Sequence, residues 1–448
     1  MKLILILDKI NDKYIFHFTI FCSIILVLDS IIVTIYSNIP KVPDSSFNSS
    51  LYAFFLVFFI ISNFIFLNYS KQGFSQINFK PIPSFRLLTI AIILNQFILS
   101  FLLVFTLVQI FLFKGYYLTT ISLIVYISIF SAIGFLILLS YQFFKWFIIN
   151  KNYLILMYGI TFSLIVLNLI ITAILVDYEF KHHDPFVKLR SIKTIISEFN
   201  FYGNYSLVYL INLNTYFSIA AFIGIWIPTV LLLKTHSIRI GRLRYWTLVI
   251  IPLLYFYFPF AVYEFGILDD LFLNYGKDFN LLFSILFGPF KIVGGVLFGI
   301  IFWISAHKMK HKDLQVLFQT AGIGMTILFG STALPSTIIS IPPFGLLSLP
   351  FVGLASYMLL MGIFLLSIRL SRDSLIRREI YNLAEEQFEL FRNIGVAQME
   401  KVLQKRVRQI LDKVDSEENV SHFENDPQIY KEFIDEALTE LKKYKRND

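Results

Sequence analysis

Ten apolar runs, each of about 20 residues or more, divide the first 368 residues of this 448-residue chain. About 20 apolar residues in an α-helix cross the hydrocarbon core of a bilayer. In hydrocarbon only helices and closed barrels satisfy their own backbone groups, and these runs are too long and continuous for barrel strands. We therefore predict helices. The runs are about 14–36, 51–69, 87–113, 119–144, 153–176, 213–233, 245–265, 279–305, 314–333 and 346–368.

The composition agrees with a membrane protein and excludes a soluble globular domain. Of the residues, 57% are hydrophobic and 15% are charged, against about 45–50% and about 25% in soluble domains. The single cysteine, Cys22, excludes an intramolecular disulfide and a cysteine metal cluster. No phosphate-binding glycine loop and no hydrolase or zinc motif is present. The sequence therefore predicts no enzyme, no catalytic residue, no cofactor and no metal.

The distribution of Lys and Arg predicts the orientation. Summed over alternate termini and loops of residues 1–368, one side of the membrane receives 15 of them and the other receives 7. The more basic side is expected to be cytoplasmic. We therefore predict a multi-pass protein of the plasma membrane with both termini in the cytoplasm. Because the basic residues lie in short loops beside spans, the net charge of +8 requires no nucleic-acid partner.

Glycine divides the membrane region into two halves of different character. Residues 1–212 hold 5 of the 20 glycines, and residues 213–368 hold 14. We expect spans six to ten to form a tightly packed core and spans two to five to face lipid. Broken, glycine-rich spans form transporter cores, but small residues also serve helix packing alone. The candidate helix-break and packing residues of span eight are Gly288, Pro289, Gly295 and Gly299.

Two ionisable residues of opposite charge, Asp29 and Lys291, are predicted to lie deep in the membrane. A charge at the bilayer centre costs about 2.5–3.5 kcal/mol on insertion scales. At about 1.5 Å per residue, Asp29 is about 22 Å from the inner side and Lys291 about 18 Å from the outer side. Their depths then differ by roughly 10 Å in a core of about 30 Å. The alternatives are a structural ion pair, two unpaired neutral groups, or a coupled proton or substrate site.

Composition changes at about residue 369, which divides a transmembrane domain, 1–368, from a cytoplasmic tail, 369–448. The tail holds 15 Lys and Arg and 17 Asp and Glu. We predict that the last span continues into it as one helix, because apolar residues recur there at coiled-coil spacings. A second helix is predicted from Asp426 and Pro427. The candidate interaction residues of the first tail helix are Ile380, Leu383, Leu390 and Ile394.

Neither tail helix can bury its apolar stripe alone. The stripes can pair with each other, with another copy of the chain, or with a soluble protein through residues 370–445. Alternatively, the tail is an amphipathic helix on the membrane surface. The predicted partners are therefore the lipid bilayer and either another copy of the chain or a soluble protein.

Two short motifs flank the last span: Ser-Ile-Pro-Pro-Phe-Gly at 340–345 and Ala-Gln-Met-Glu at 397–400. Together with that span they resemble uncharacterised multi-span membrane proteins of archaea, over about residues 340–410. This resemblance implies no known activity. In outline the chain also resembles the membrane input modules of sensor kinases, which end in a signalling helix, although no kinase or cyclase domain follows here.

These features predict an all-α polytopic protein of about ten transmembrane helices with a helical, coiled-coil tail. The function expected from a tail helix continuous with the last span is that of a sensor-like or scaffold subunit. Its tail would recruit a partner. The alternative is a small-molecule transporter that uses the broken spans six to ten. A membrane enzyme comes third.

Overall fold

The protein is built of long, apolar α-helices. The computed structural model describes residues 12–38, 45–75, 83–181, 185–188, 205–234, 241–287, 290–332, 346–372 and 389–417. The helices are α1 (Asp12–Asn38), α2 (Ser45–Ser75), α3 (Pro83–Phe113), α4 (Leu118–Asn150), α5 (Tyr153–Lys181), α6 (Tyr205–Leu233), α7 (Arg242–Phe265), α8 (Asp269–Phe287), α9 (Phe290–Lys308), α10 (Lys312–Ser331), α11 (Leu349–Arg372) and α12 (Glu389–Glu417). A single 3₁₀ turn, Leu346–Ser348, precedes α11.

Nine segments of the described chain are long and apolar enough to cross a membrane. They confirm the predicted all-α, multi-pass architecture. The remaining predicted span corresponds to α1, whose apolar part, Tyr14–Asp29, is shorter than the others. The predicted eighth span is divided between α8 and α9. Within α8, Gly276 has a φ of 51° and a ψ of −119°, so the helix is kinked there.

The centre of the bundle is α10, which packs between α9 and α11 and also contacts α1 and α2. Of the most apolar stretch of α10, 94% of the residues are buried, and the value for α11 is 89%. Glycine allows the close approach of α10 and α11. A Cβ on Gly324 would lie 2.7 Å from the backbone nitrogen of Leu359, and one on Gly362 would lie 2.7 Å from that of Ala321.

The expected division between a packed second half and a lipid-facing first half is wrong in part. Helices α9 to α11 are closely packed, but only 39% of the most apolar stretch of α6 and 33% of that of α7 are buried, against 67% for α5. Small polar residues, rather than glycine alone, bring α5 onto α4. The Ser140 hydroxyl lies 2.7 Å from that of Ser163 and donates a hydrogen bond of 2.8 Å to the carbonyl of Gly159.

Helix α3 matches the expectation of a lipid-facing span, because only 22% of its most apolar stretch is buried. Large apolar side chains cover its outside. Such a surface is stable in hydrocarbon and not in water. The most exposed of these side chains are Leu87, Phe97, Phe101 and Leu112.

A two-stranded antiparallel sheet joins the ends of α4 and α5. Strand β1 (Gly115–Tyr117) directly precedes α4, and β2 (Phe186–Lys188) follows α5. Gly115 pairs with Lys188 and Tyr117 with Phe186. This sheet lies at the end of α4 that is predicted to be extracellular, and it ties the two helices together there.

Candidate functional site

The beginning of α12 packs against the ends of several membrane helices, chiefly α11 and α4. The apolar face of this amphipathic helix is covered there. The contacts involve the carboxyl-terminal ends of α4, α9 and α11 and the first turns of α10. In an antiparallel bundle these ends lie at one face, which is the predicted cytoplasmic face. The covered apolar residues of α12 are Leu390, Phe391, Ile394 and Ala397, each no more than 2% exposed.

Phe391 is the aromatic anchor of this docking site. Its ring centroid lies 4.6 Å from that of Phe318 of α10, with an interplanar angle of 85°. The centroid of Phe302 of α9 lies 5.8 Å away at 65°. Edge-to-face pairs of this kind contribute about 0.5–1.5 kcal/mol beyond the burial of their surface. Phe391 therefore connects α12 directly to the central helix and to its neighbour.

Polar contacts fix the direction of α12 along α4. The Asn150 amide donates a hydrogen bond of 2.9 Å to the carbonyl of Asn393. One turn earlier on α4, the indole of Trp146 donates one of 3.0 Å to the side-chain oxygen of Gln398. A third contact, with Nζ of Lys401, reaches back to Gln142. Because positions fall on α4 as they rise on α12, the two helices run antiparallel.

The close approach of Gly395 to Leu370 corrects the prediction that the last span continues into the tail as one helix. A Cβ on Gly395 would lie 3.0 Å from Cβ of Leu370. In a single α-helix these residues would be about 37 Å apart, at about 1.5 Å per residue. The chain therefore turns back between α11 and α12. Gly395 lies inside α12 at this contact.

An ion pair lies beside the docking site. Nε of Arg369, near the end of α11, donates a hydrogen bond of 2.9 Å to Oδ2 of Asp313 in the first turn of α10. Both side chains are largely buried. The pair holds α10 and α11 together where α12 packs on them.

The sequence-predicted tail residues have separate outcomes. Leu390 and Ile394 are buried against the chain's own membrane helices. In this structure their surface is therefore already covered and does not form a free coiled-coil stripe. Ile380 and Leu383 lie outside the described residues.

The predicted pair of Asp29 and Lys291 remains a prediction, because the Lys291 side chain lies outside the described residues. Asp29 is 2% exposed. Gly330 of α10 is where their segments meet: its Cβ position is 3.4 Å from Cδ1 of Leu26 and 3.7 Å from Cγ1 of Ile292. Leu26 is one turn from Asp29, and Ile292 adjoins Lys291. The two segments therefore meet at one position of α10.

The candidate packing glycines of span eight lie where α9 meets α10. A Cβ on Gly295 would be 2.8 Å from the carbonyl oxygen of Thr326, and one on Gly299 would be 2.9 Å from that of Gly322. These positions allow the backbones to approach closely. The predicted helix break, Gly288 and Pro289, lies outside the described residues.

A small cavity of about 20 Å³ lies between α5, α6, α7 and α10. Such a volume holds about one water molecule. Its polar lining comprises Asn168, Ser218 and Thr332, and the rest is mainly apolar. Within the described part of the chain, no three His, Cys, Asp or Glu side chains come together as metal ligands.

The sequence did not identify Trp146, Phe391 or Gln398 as parts of one site. A tryptophan near the end of a span indicates an interfacial aromatic residue in general. The useful signal was Gln398 beside an apolar stripe, because a buried amide requires a partner.

No protein-family model, curated protein or solved structure matches the chain.

Proposed function

We propose that the protein is a sensor-like or scaffold subunit of the plasma membrane whose tail helix α12 recruits a cytosolic partner. The single observation that supports this role is the position of α12. It lies across the ends of α9, α10 and α11, where Phe391 contacts the first two of these helices. Both termini are assigned to the cytoplasm on the distribution of Lys and Arg.

Close packing connects the membrane core to the docking site. Because backbones meet at Gly299, Gly324 and Gly362, α9, α10 and α11 shift as packed units. A shift of α10 relative to α9 changes the position of Phe318 relative to Phe302, and therefore the site that Phe391 occupies. The docking of α12 thus responds to rearrangements inside the membrane.

In this proposal α12 has a docked state and a released state. Docking covers Leu390, Phe391 and Ile394, and release exposes them as an amphipathic helix face. A groove on a partner recognises such a face through residues three and four apart. A stimulus that favours one packing of the membrane helices shifts the balance between the states by its difference in affinity for them.

The test is affinity purification from native membranes in mild detergent with quantification of the co-purified proteins. Four chains are compared: wild type, a truncation after Arg372, the release variant Phe318→Ala, which removes the α10 ring that Phe391 packs on and leaves the face of α12 intact, and the exposed-face control Gln404→Ala. We expect one stoichiometric partner that increases with Phe318→Ala, is unchanged with Gln404→Ala, and is lost on truncation. Identical sets of proteins from all four chains would show that the proposal is wrong.

A small-molecule transporter is the second candidate, and the burial of Asp29 favours it. A carboxyl group deep in a membrane bundle, near the meeting point at Gly330, is typical of ion and substrate pathways. Solute flux into liposomes separates the two functions. A transporter keeps its flux after truncation at Arg372 and loses it with Lys291→Ala, whereas a sensor or scaffold produces no flux in either form.

A further inference from the structure

Three lysines converge where α12 passes the end of α4. Lys401 of α12 is half-buried, and its Nζ lies 3.4 Å from the side-chain oxygen of Gln142. Lys405 is one turn further along α12. On α4, Nζ of Lys145 lies 4.5 Å from the ring centroid of Tyr141. Burial, together with the positive charges of Lys145 and Lys405, lowers the pKa of Lys401.

This cluster lacks a counter-charge in the described part of the chain. No described carboxylate lies within 4 Å of Nζ of Lys145, Lys401 or Lys405. Like charges held together raise the free energy of the docked tail. An anion bound among the three ammonium groups would offset that repulsion. The contact of Lys401 with a neutral amide oxygen does not do so.

The length of α4 places this cluster at the level of lipid headgroups. Lys145 lies 27 residues beyond Leu118, the first residue of α4, or about 40 Å along the helix. The hydrocarbon core is about 30 Å thick, and core plus headgroups about 40–45 Å. Lys145 is therefore beyond the hydrocarbon. Tyr141, one turn nearer the core, is 54% exposed, as in the aromatic belts of membrane interfaces.

We propose that Lys145, Lys401 and Lys405 bind the phosphate of an anionic phospholipid headgroup, which holds α12 on the end of α4. Depth favours a lipid over free phosphate, because lipid phosphates are concentrated at this level of the bilayer. The site lies on the predicted inner side, where polybasic segments attract anionic lipids. The bound lipid would contact both a membrane helix and the tail helix. The proposal does not depend on a protein partner.

The test uses the full-length protein in bilayers of neutral phospholipid that contain a small fraction of phosphatidylglycerol with a photoreactive group beside its phosphate. Labelled peptides are identified by mass spectrometry. We expect labelling of the peptides around 141–145 and 401–405. The triple variant Lys145→Gln, Lys401→Gln, Lys405→Gln should reduce it at least about tenfold, since each lysine near an anionic surface contributes roughly fivefold in affinity.

The control variant makes the same change of charge on the same predicted side of the membrane, at Lys308, Lys310 and Lys312. It should leave labelling of the two peptides unchanged. The single change Lys405→Gln, at an exposed position, should reduce labelling without disturbing helix packing. Unchanged labelling in the triple variant would overturn the proposal, as would an equal loss in the control. Complete competition by inorganic phosphate would assign the site to free phosphate instead of lipid.

Discussion

The indole N–H of Trp146 donates a hydrogen bond of 3.0 Å to the side-chain oxygen of Gln398, and both residues are buried. The two residues are 252 positions apart. They join a membrane helix to the tail helix. A buried indole N–H that is left without an acceptor destabilises the docked state by about 1–3 kcal/mol. This hydrogen bond exists only while α12 is docked, so its loss distinguishes the released tail from the docked one.

Replacing Gln398 by Ala should weaken docking by about 1–3 kcal/mol, because the Trp146 N–H is left without a partner. Trp146→Phe removes that N–H, so adding Gln398→Ala to it should cost less than Gln398→Ala alone. Docking is measured as cross-linking between cysteines introduced at Asn150 and Asn393 by a short reagent with two thiol-reactive groups. Cys22, the chain's single cysteine, is replaced by Ser. Additive losses would refute the coupling.

Phe391→Ala should release α12 more strongly than the loss of the hydrogen bond does. Phe391 is 1% exposed, and truncation of a buried phenylalanine costs about 3–5 kcal/mol. We expect the cross-linked fraction between positions 150 and 393 to fall to near background. Gln404→Ala changes an exposed position of the same helix and should leave cross-linking unchanged. Equal effects of the two variants would contradict the assignment of Phe391 as the anchor.

Docking should become stronger as pH rises. Burial, and then the charges of Lys145 and Lys405, lowers the pKa of Lys401 below its ordinary value of 10.5. Between the lowered pKa and the ordinary one, the released tail binds more protons than the docked tail, so raising pH favours docking. Below the lowered pKa, Lys401 is charged in both states, and the full cost of burying its charge beside Lys145 and Lys405 opposes docking. The measurement is hydrogen exchange of the backbone amides of α12 in neutral lipid. After correction for the intrinsic pH dependence of exchange, α12 should become more protected as pH rises.

The variant Lys401→Met removes the charge and keeps much of the apolar stem. It should protect α12 from exchange more than wild type does at neutral pH, and it should remove most of the corrected pH dependence. Lys151→Met, at a lysine that does not act on Lys401, is the matched control and should behave as wild type. If docking of α12 in the wild-type protein weakens as pH rises, the predicted direction of the pH dependence is wrong.

Gly362→Ala should destabilise the bundle by about 1–3 kcal/mol, which is typical of overpacking. The new Cβ would lie 2.7 Å from the backbone nitrogen of Ala321 and 2.9 Å from the carbonyl oxygen of Leu317, so α10 and α11 must separate. Gly134→Ala is the matched control, since no heavy atom outside its own helix backbone lies within 4 Å of that Cβ. Thermal unfolding in detergent should show a lower Tm for Gly362→Ala alone. Equal Tm values would contradict the packing.

The sequence predicts the membrane helices because their signal is local: a run of about 20 apolar residues suffices for each. The reversal before α12 depends instead on distant contacts. The stripe that includes Leu390 and Ile394 fits a coiled coil, a surface helix or a docked helix equally well. Only the positions of Phe318 and Trp146 decide between them. The meeting of Leu26 and Ile292 at Gly330 is likewise a contact between distant segments that no local pattern predicts.

The burial of α5 was missed for a different reason. Glycine content predicts close packing only in part, because Ser140 and Ser163 pack α4 against α5 with their hydroxyls. Asn168 similarly donates to the carbonyl and side-chain oxygens of Asn214, joining α5 to α6. Hydrogen bonds between helices in hydrocarbon stabilise as well as small residues do. A polar residue in a span is therefore as informative as a glycine.

The pairing of Gly115 with Lys188 restrains one end of α4. The strands hold one end of the helix against the end of α5, so any tilt of α4 about that end displaces its opposite end most. Trp146 lies about 42 Å along α4 from Leu118 at the restrained end, at about 1.5 Å per residue. A tilt of about 5° therefore displaces its indole by about 4 Å, well beyond hydrogen-bond range of Gln398. A small tilt of α4 is thus enough to break its hydrogen bond to the tail.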